Sequence, residues 1–127
     1  MNTPDTPTPL NEETPLRSAR RMARTRDLRR PTEYVRLMNE DFSRWALNEE
    51  RAPEFRGRWR GEVFGVSENH AVDLEIGTGN GYHFAHLAKT CPDRALLGIE
   101  IKFKPLIQSI RRALREGSEN ARILRYD

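Results

Sequence analysis

Three glycines and three carboxylates have the types and spacing to hold a small cationic ligand. Gly77, Gly79 and Gly81 alternate in the stretch GTGNG, Glu75 stands two residues ahead of them, and Glu100 follows 19 residues after Gly81. Asp127 is the last residue given. A loop that gathers backbone N–H groups around a pyrophosphate reads G-x-G-x-x-G, and an acid at its mouth would repel that ligand. Here the spacing is G-x-G-x-G, and Asp73 places a further carboxylate two residues before Glu75. The arrangement favours a positively charged ligand. The glycines let backbone approach it where a Cβ would clash.

Strands and helices must bring these residues together. The run AVDLEI before GTGNG is β-branched and apolar, and residues 82–90 place Phe84, Ala85, Leu87 and Ala88 at helical spacing. Pro92 and Asp93 end that helix, and ALLGIEI is a nearly continuous apolar strand of the kind buried on both faces of a parallel sheet. Pro105 suits a first helical turn, Leu106, Ile107, Ile110, Ala113 and Leu114 form one face, and Gly117 closes the helix. Residues 121–126 form a third strand. The sequence predicts a βαβαβ unit in strand order 3-2-1, half of a doubly wound α/β sheet. Its acids and glycines then lie at the carboxyl ends of successive strands, where such sheets bind ligands.

S-adenosylmethionine fits that chemistry. It carries an ammonium and a sulfonium and no phosphate. Glu75 suits its cationic portion, Glu100 the ribose hydroxyls and Asp127 the adenine edge. Asp73 shares a strand face with Glu75 and is either structural or a supporting acid. His83 and His86 lack a partner at ligand spacing, so no metal is expected.

Outside the βαβαβ unit, charge is distributed unevenly. Residues 1–16 carry Asp5, Glu12 and Glu13 and no base; residues 17–30 carry seven Arg against Asp27; residues 31–127 carry 15 bases and 15 acids. Four of the eight prolines fall in the first 15 residues, which predicts a disordered tail over 1–16. Arg17, Arg20, Arg21 and Arg24 fall on one face of a helix if one forms, a candidate RNA-binding arm. Residues 17–54 are read as this arm and a lead-in segment, with 31–54 helical or irregular, and 55–127 as the ligand-binding unit. At the start of that unit, FRGRWRGEVFG interleaves aromatics, Arg and Gly, a composition for a tight loop that lays aromatics on a core, Trp59 among them. No apolar run approaches the 18–20 residues of a membrane span, and the single cysteine, Cys91, forms no internal disulfide. These features suit a cytoplasmic protein with no membrane contact.

From DLEIGTGNG through LGIE to the strand ending in Asp127, with FRGRWRGEVFG upstream, the chain resembles the bacterial tRNA (guanine-N7)-methyltransferases. The similarity covers about residues 55–127 and implies the first half of a Rossmann-like class I S-adenosylmethionine-dependent methyltransferase fold. It also implies tRNA as partner, methyl transfer to guanine N7, and cofactor contacts from Glu75, Glu100 and Asp127. The family's later F-P-D-P-W segment, with the Asp credited with catalysis, has no counterpart in these 127 residues, so the catalytic residue is unassigned. Two other functions remain open: a class I methyltransferase of another substrate or an inactive cofactor-binding fragment, and an Arg-rich RNA-binding module without chemistry.

Overall fold

A computed structural model describes residues 30–127; the acidic tail and Arg17, Arg20, Arg21 and Arg24 lie outside the described residues. The elements run α1 (Thr32–Asn39), β1 (Ala46–Leu47), a 3-10 turn (Ala52–Phe55), a π-helical turn (Trp59–Phe64), β2 (Val72–Ile76), α2 (Tyr82–Thr90), β3 (Ala95–Ile99), α3 (Phe103–Arg115) and β4 (Ala121–Leu124). The four strands form one parallel sheet in the order β1-β4-β3-β2. Its last three strands are the 3-2-1 order expected of the βαβαβ unit. The fold is α/β and Rossmann-like.

Strand β1 was not foreseen. Two residues, Ala46 and Leu47, pair with Ile123 and Leu124 and extend the sheet beyond β4. A two-residue strand carries no alternation to detect, so its pairing depends on the preformed β4 edge rather than on its own pattern. The same lead-in supplies α1, whose Met38 is buried and whose Tyr34, Val35 and Leu37 pack on the main core.

Side chains alternate across the sheet and build two cores. On one face Leu96, Ile123, Ala121 and Ala46 meet Phe84, Ala85 and Ala88 of α2 and Phe103, Leu106, Ile107, Ile110 and Ala113 of α3. Leu106, Ile107 and Ile110 are fully buried, each worth roughly 1.5–3 kcal/mol of apolar transfer. On the other face Leu47 and Leu124 meet Ala52 and the partly buried Phe55, Trp59 and Val63, with Leu97 and Ile99 alongside. The aromatics Phe55 and Trp59 thus cover the sheet as their composition suggests, although through 3-10 and π turns. That cover stops short of β2, where Leu74 is 56% and Ile76 77% exposed on the sheet edge.

Candidate cofactor site

The glycine loop leaves β2 at Ile76 and enters α2 at Tyr82. Gly77, Gly79 and Gly81 have φ of 76°, 57° and 86°, the left-handed region in which a side chain is strained. The loop remains attached to the sheet at its start, because Gly77 N–H donates to the Ile99 carbonyl at 2.7 Å. An added Cβ at Gly77 or Gly79 would meet nothing within 4 Å, so both glycines border open space. At Gly81 it would stand 2.2 Å from the Ser109 Cα and 2.7 Å from its Oγ. Gly81 is buried against α3. Its glycine serves the close approach of loop and helix.

Several distant side chains hold the loop. The Glu100 carboxylate, 8% exposed, accepts from Gly79 N–H at 2.9 Å and from Lys102 N–H at 3.3 Å. Ser109 Oγ lies 2.9 Å from the Gly79 carbonyl, 2.9 Å from the Pro105 carbonyl and 2.9 Å from Thr78 Oγ1. With one proton, the Ser109 hydroxyl donates to either carbonyl and accepts from Thr78. Arg112 Nε donates to the Asn80 carbonyl at 2.9 Å, and its guanidinium lies 3.8 Å from the Tyr82 ring centroid. Opposite Glu75 on the neighbouring strand, Gly98 leaves room that Phe84 and Thr78 occupy; a Cβ there would stand 2.7 Å from each. Thr78, Gly98, Ser109 and Arg112 were not singled out as site residues from the sequence. The glycine motif shows that a tight turn forms but not which other side chains hold its shape.

Glu75 occupies a different electrostatic state from the other acids. Its Oε2 is buried and has no hydrogen-bond partner among the described residues. Burial raises the carboxyl pKa above its ordinary value, and His83 pulls it part of the way back. A buried acceptor without a donor costs free energy unless something outside the described residues supplies one. Asp73, by contrast, is paired: Arg94 Nε and Nη2 reach its two oxygens at 2.6 and 2.7 Å. That bidentate bond holds its pKa below the usual carboxylate range. Asp73 therefore braces β2 against the turn before β3. Asp127, exposed, lies three residues past the end of β4 and makes an electrostatic or hydrogen-bonding contact of its own.

The buried end of β4 is tied to the lead-in. Arg125, 1% exposed, pairs with Glu49 at 2.5 Å, donates to the Ile101 carbonyl at 3.1 Å and lies 4.4 Å from the Phe103 ring centroid. Glu49 also receives Arg30 at 3.2 Å. His83 and His86 are exposed, and no group of three or more metal-ligating side chains occurs among the described residues. No helix among those residues is long and apolar enough to cross a membrane.

A parallel sheet with a glycine turn and acids at its carboxyl edge is the ligand-binding arrangement of a Rossmann-like α/β fold. Residues 69–127 match the family described as putative methyltransferase. The chain is 51% identical over 89 residues to a tRNA (guanine-N(7)-)-methyltransferase of Bdellovibrio bacteriovorus, a match that covers 70% of this chain and 43% of the relative. Proteins of the same description from Porphyromonas gingivalis and Bacillus velezensis are 35% and 31% identical over 72 and 74 residues. Those matches cover 57% and 58% of this chain, and 29% and 33% of the relatives. Over the matched residues the chain is similar to proteins described as tRNA (guanine-N(7)-)-methyltransferases. It spans less than half the length of the curated relatives it matches.

Proposed function

We propose that residues 55–127 form the S-adenosylmethionine-binding half of an enzyme that methylates N7 of a guanine in tRNA. The observation that carries the cofactor assignment is the buried, unpartnered Oε2 of Glu75 beside the open backbone of Gly77 and Gly79. An acceptor so placed is suited to a cation that brings its own N–H donors. Glu75 would hold the ammonium end. Glu100 retains acceptor capacity on both oxygens after its two backbone bonds and would take the ribose hydroxyls. Asp127 is assigned to the adenine edge, and Gly77 and Gly79 to close backbone contact. Gly81 is assigned to the cofactor loop through its packing on Ser109.

When bound, S-adenosylmethionine supplies an electrophilic methyl group on its sulfonium. Guanine N7 has an in-plane lone pair and needs no deprotonation before attack, so positioning can supply much of the rate. In this chain Glu100, Ser109 and Arg112 keep the loop in one shape before the ligand arrives. The catalytic residue is not assigned within these residues. The Arg17, Arg20, Arg21 and Arg24 arm is proposed as a tRNA contact on its charge alone. A cytoplasmic location follows from the tRNA substrate.

The enzyme that includes this half is tested with methyl-labelled S-adenosylmethionine and bulk tRNA, followed by mapping of the labelled base. Label on guanine N7 is expected. Label on protein, DNA or another base would replace the substrate assignment, and no label together with no cofactor binding would leave an RNA-binding module.

A further inference from the structure

A second cluster of charge lies toward the amino ends of the strands, away from the cofactor loop. Arg122, on β4, is 5% exposed, and no carboxylate pairs with it among the described residues. Its Nε donates to the Val63 carbonyl at 3.1 Å, and its Nη1 to the carbonyls of Glu119 at 2.7 Å and Ala121 at 2.8 Å. Arg122 lines a concavity of about 350 Å³ together with Ser43, Arg44, Arg51 and Glu62. Three arginines therefore line one depression. The single acid on its wall, Glu62, is already engaged by Arg58 at 2.8 Å.

The arrangement is costly as pure architecture. Burying a guanidinium without a carboxylate is expensive, and carbonyl bonds return only part of the loss. Burial, then the neighbouring charge of Arg44, pulls the Arg122 pKa below its usual value, with Glu119 opposing weakly. Arg122 also lies 5.6 Å from the Phe64 ring centroid, a contact that neutralises none of the charge. Arg44 is held over the Trp45 ring at 5.4 Å, and Arg51 donates to the Ser43 carbonyl at 3.2 Å. Both arginines are thus partly oriented. Guanidinium forks suit phosphate oxygens, and Arg122 is a largely buried arginine, fixed by carbonyl bonds, in the lining of the depression.

We propose that Arg44, Arg51 and Arg122 form a phosphate-binding site separate from the cofactor loop. The phosphate belongs either to an RNA backbone or to a small phosphorylated ligand. Only the RNA source rests on the tRNA function proposed above; the anion site does not.

The test compares the 127-residue chain with Arg44→Gln and with the Arg44→Gln/Arg51→Gln pair. Arg122 is left intact because its carbonyl bonds tie β4 to the π turn. Inorganic phosphate, against chloride at equal ionic strength, should raise the unfolding temperature of the wild-type chain and not that of the pair. Bulk tRNA should bind the pair about tenfold or more weakly, with the slope of log affinity on log salt shallower by about 1. Loss of tRNA affinity with the shallower slope assigns the site to the RNA backbone. Protection by phosphate with unchanged tRNA binding assigns it to a small phosphorylated ligand. No phosphate-specific protection together with unchanged tRNA affinity and slope overturns the proposal. Arg44 makes no described hydrogen bond, so the single variant keeps the test decisive if the pair folds poorly. The phosphate measurement stands whether or not methyl transfer to tRNA is found.

Discussion

Replacing Gly81 by Ala separates conformational strain from steric overlap within one loop. All three loop glycines adopt positive φ, and an alanine there costs about 1–2 kcal/mol, of which roughly 0.4–1 returns because the unfolded chain loses freedom. At Gly77 and Gly79 no further penalty arises, because an added Cβ meets nothing within 4 Å. At Gly81 the methyl would overlap the Ser109 Cα at 2.2 Å, and backbone cannot rotate away as a side-chain tip can. Overpacking of that kind adds about 1–3 kcal/mol as α3 or the loop shifts. Gly81→Ala should therefore be less stable than Gly79→Ala by about 1–3 kcal/mol, or roughly 5–20 °C in unfolding temperature for a domain of this size. Urea unfolding followed by circular dichroism measures the difference in midpoint. Equal midpoints for the two variants would refute the claim that the loop and α3 are locked together at Gly81.

Further outcomes follow from the charges and the sheet edge. Glu75→Gln should raise stability at neutral pH while weakening S-adenosylmethionine binding. Because the folded-state pKa of Glu75 is raised, its ionisation penalises the fold as pH climbs from the ordinary carboxyl range through the folded value. Unfolding temperatures between pH 4 and 8 should diverge in favour of the variant with rising pH, and parallel curves would contradict the burial cause. Asp73→Asn has the opposite sign. The lowered Asp73 pKa gives stability that is present above its unfolded value and lost as pH falls through the folded one, so the variant should flatten the acid limb and leave cofactor affinity unchanged. Glu49→Ala strips the carboxylate from buried Arg125 and should cost about 2–3 kcal/mol, discounted because Glu49 is itself 30% exposed. A cost under about 0.5 kcal/mol would show that the other contacts of Arg125 suffice. Leu74→Lys with Ile76→Lys should reduce self-association of the chain, measured by sedimentation, and an unchanged association state would contradict the role of this edge.

The legible part of the fold is the part punctuated by glycine and proline. Gly81, Pro105 and Gly117 mark helix ends that the structure places within a few residues, and α2 runs over Tyr82–Thr90 as its spacing predicts. β1 was hidden because two residues have no period, and the π turn because its regularity comes from resting on Leu47 and Leu124, far away in sequence. Glu75 and Glu100 could be singled out by type and place. Their different states could not be, because the Glu100 bond to Gly79 and the isolation of Glu75 Oε2 arise only once β2 and β3 pair. Asp73 shows the same limit: two residues from Glu75 and on its face, it is diverted by Arg94, 21 positions away.

Titrating S-adenosylmethionine calorimetrically into the chain and into its Glu75→Gln variant tests the central claim most directly. One molecule should bind per wild-type chain, and the variant should bind about 10–100-fold more weakly, the range for loss of one charged hydrogen bond. Equal affinity in the two proteins, or no binding to a folded wild-type chain, would contradict the assignment of this loop as the cofactor site.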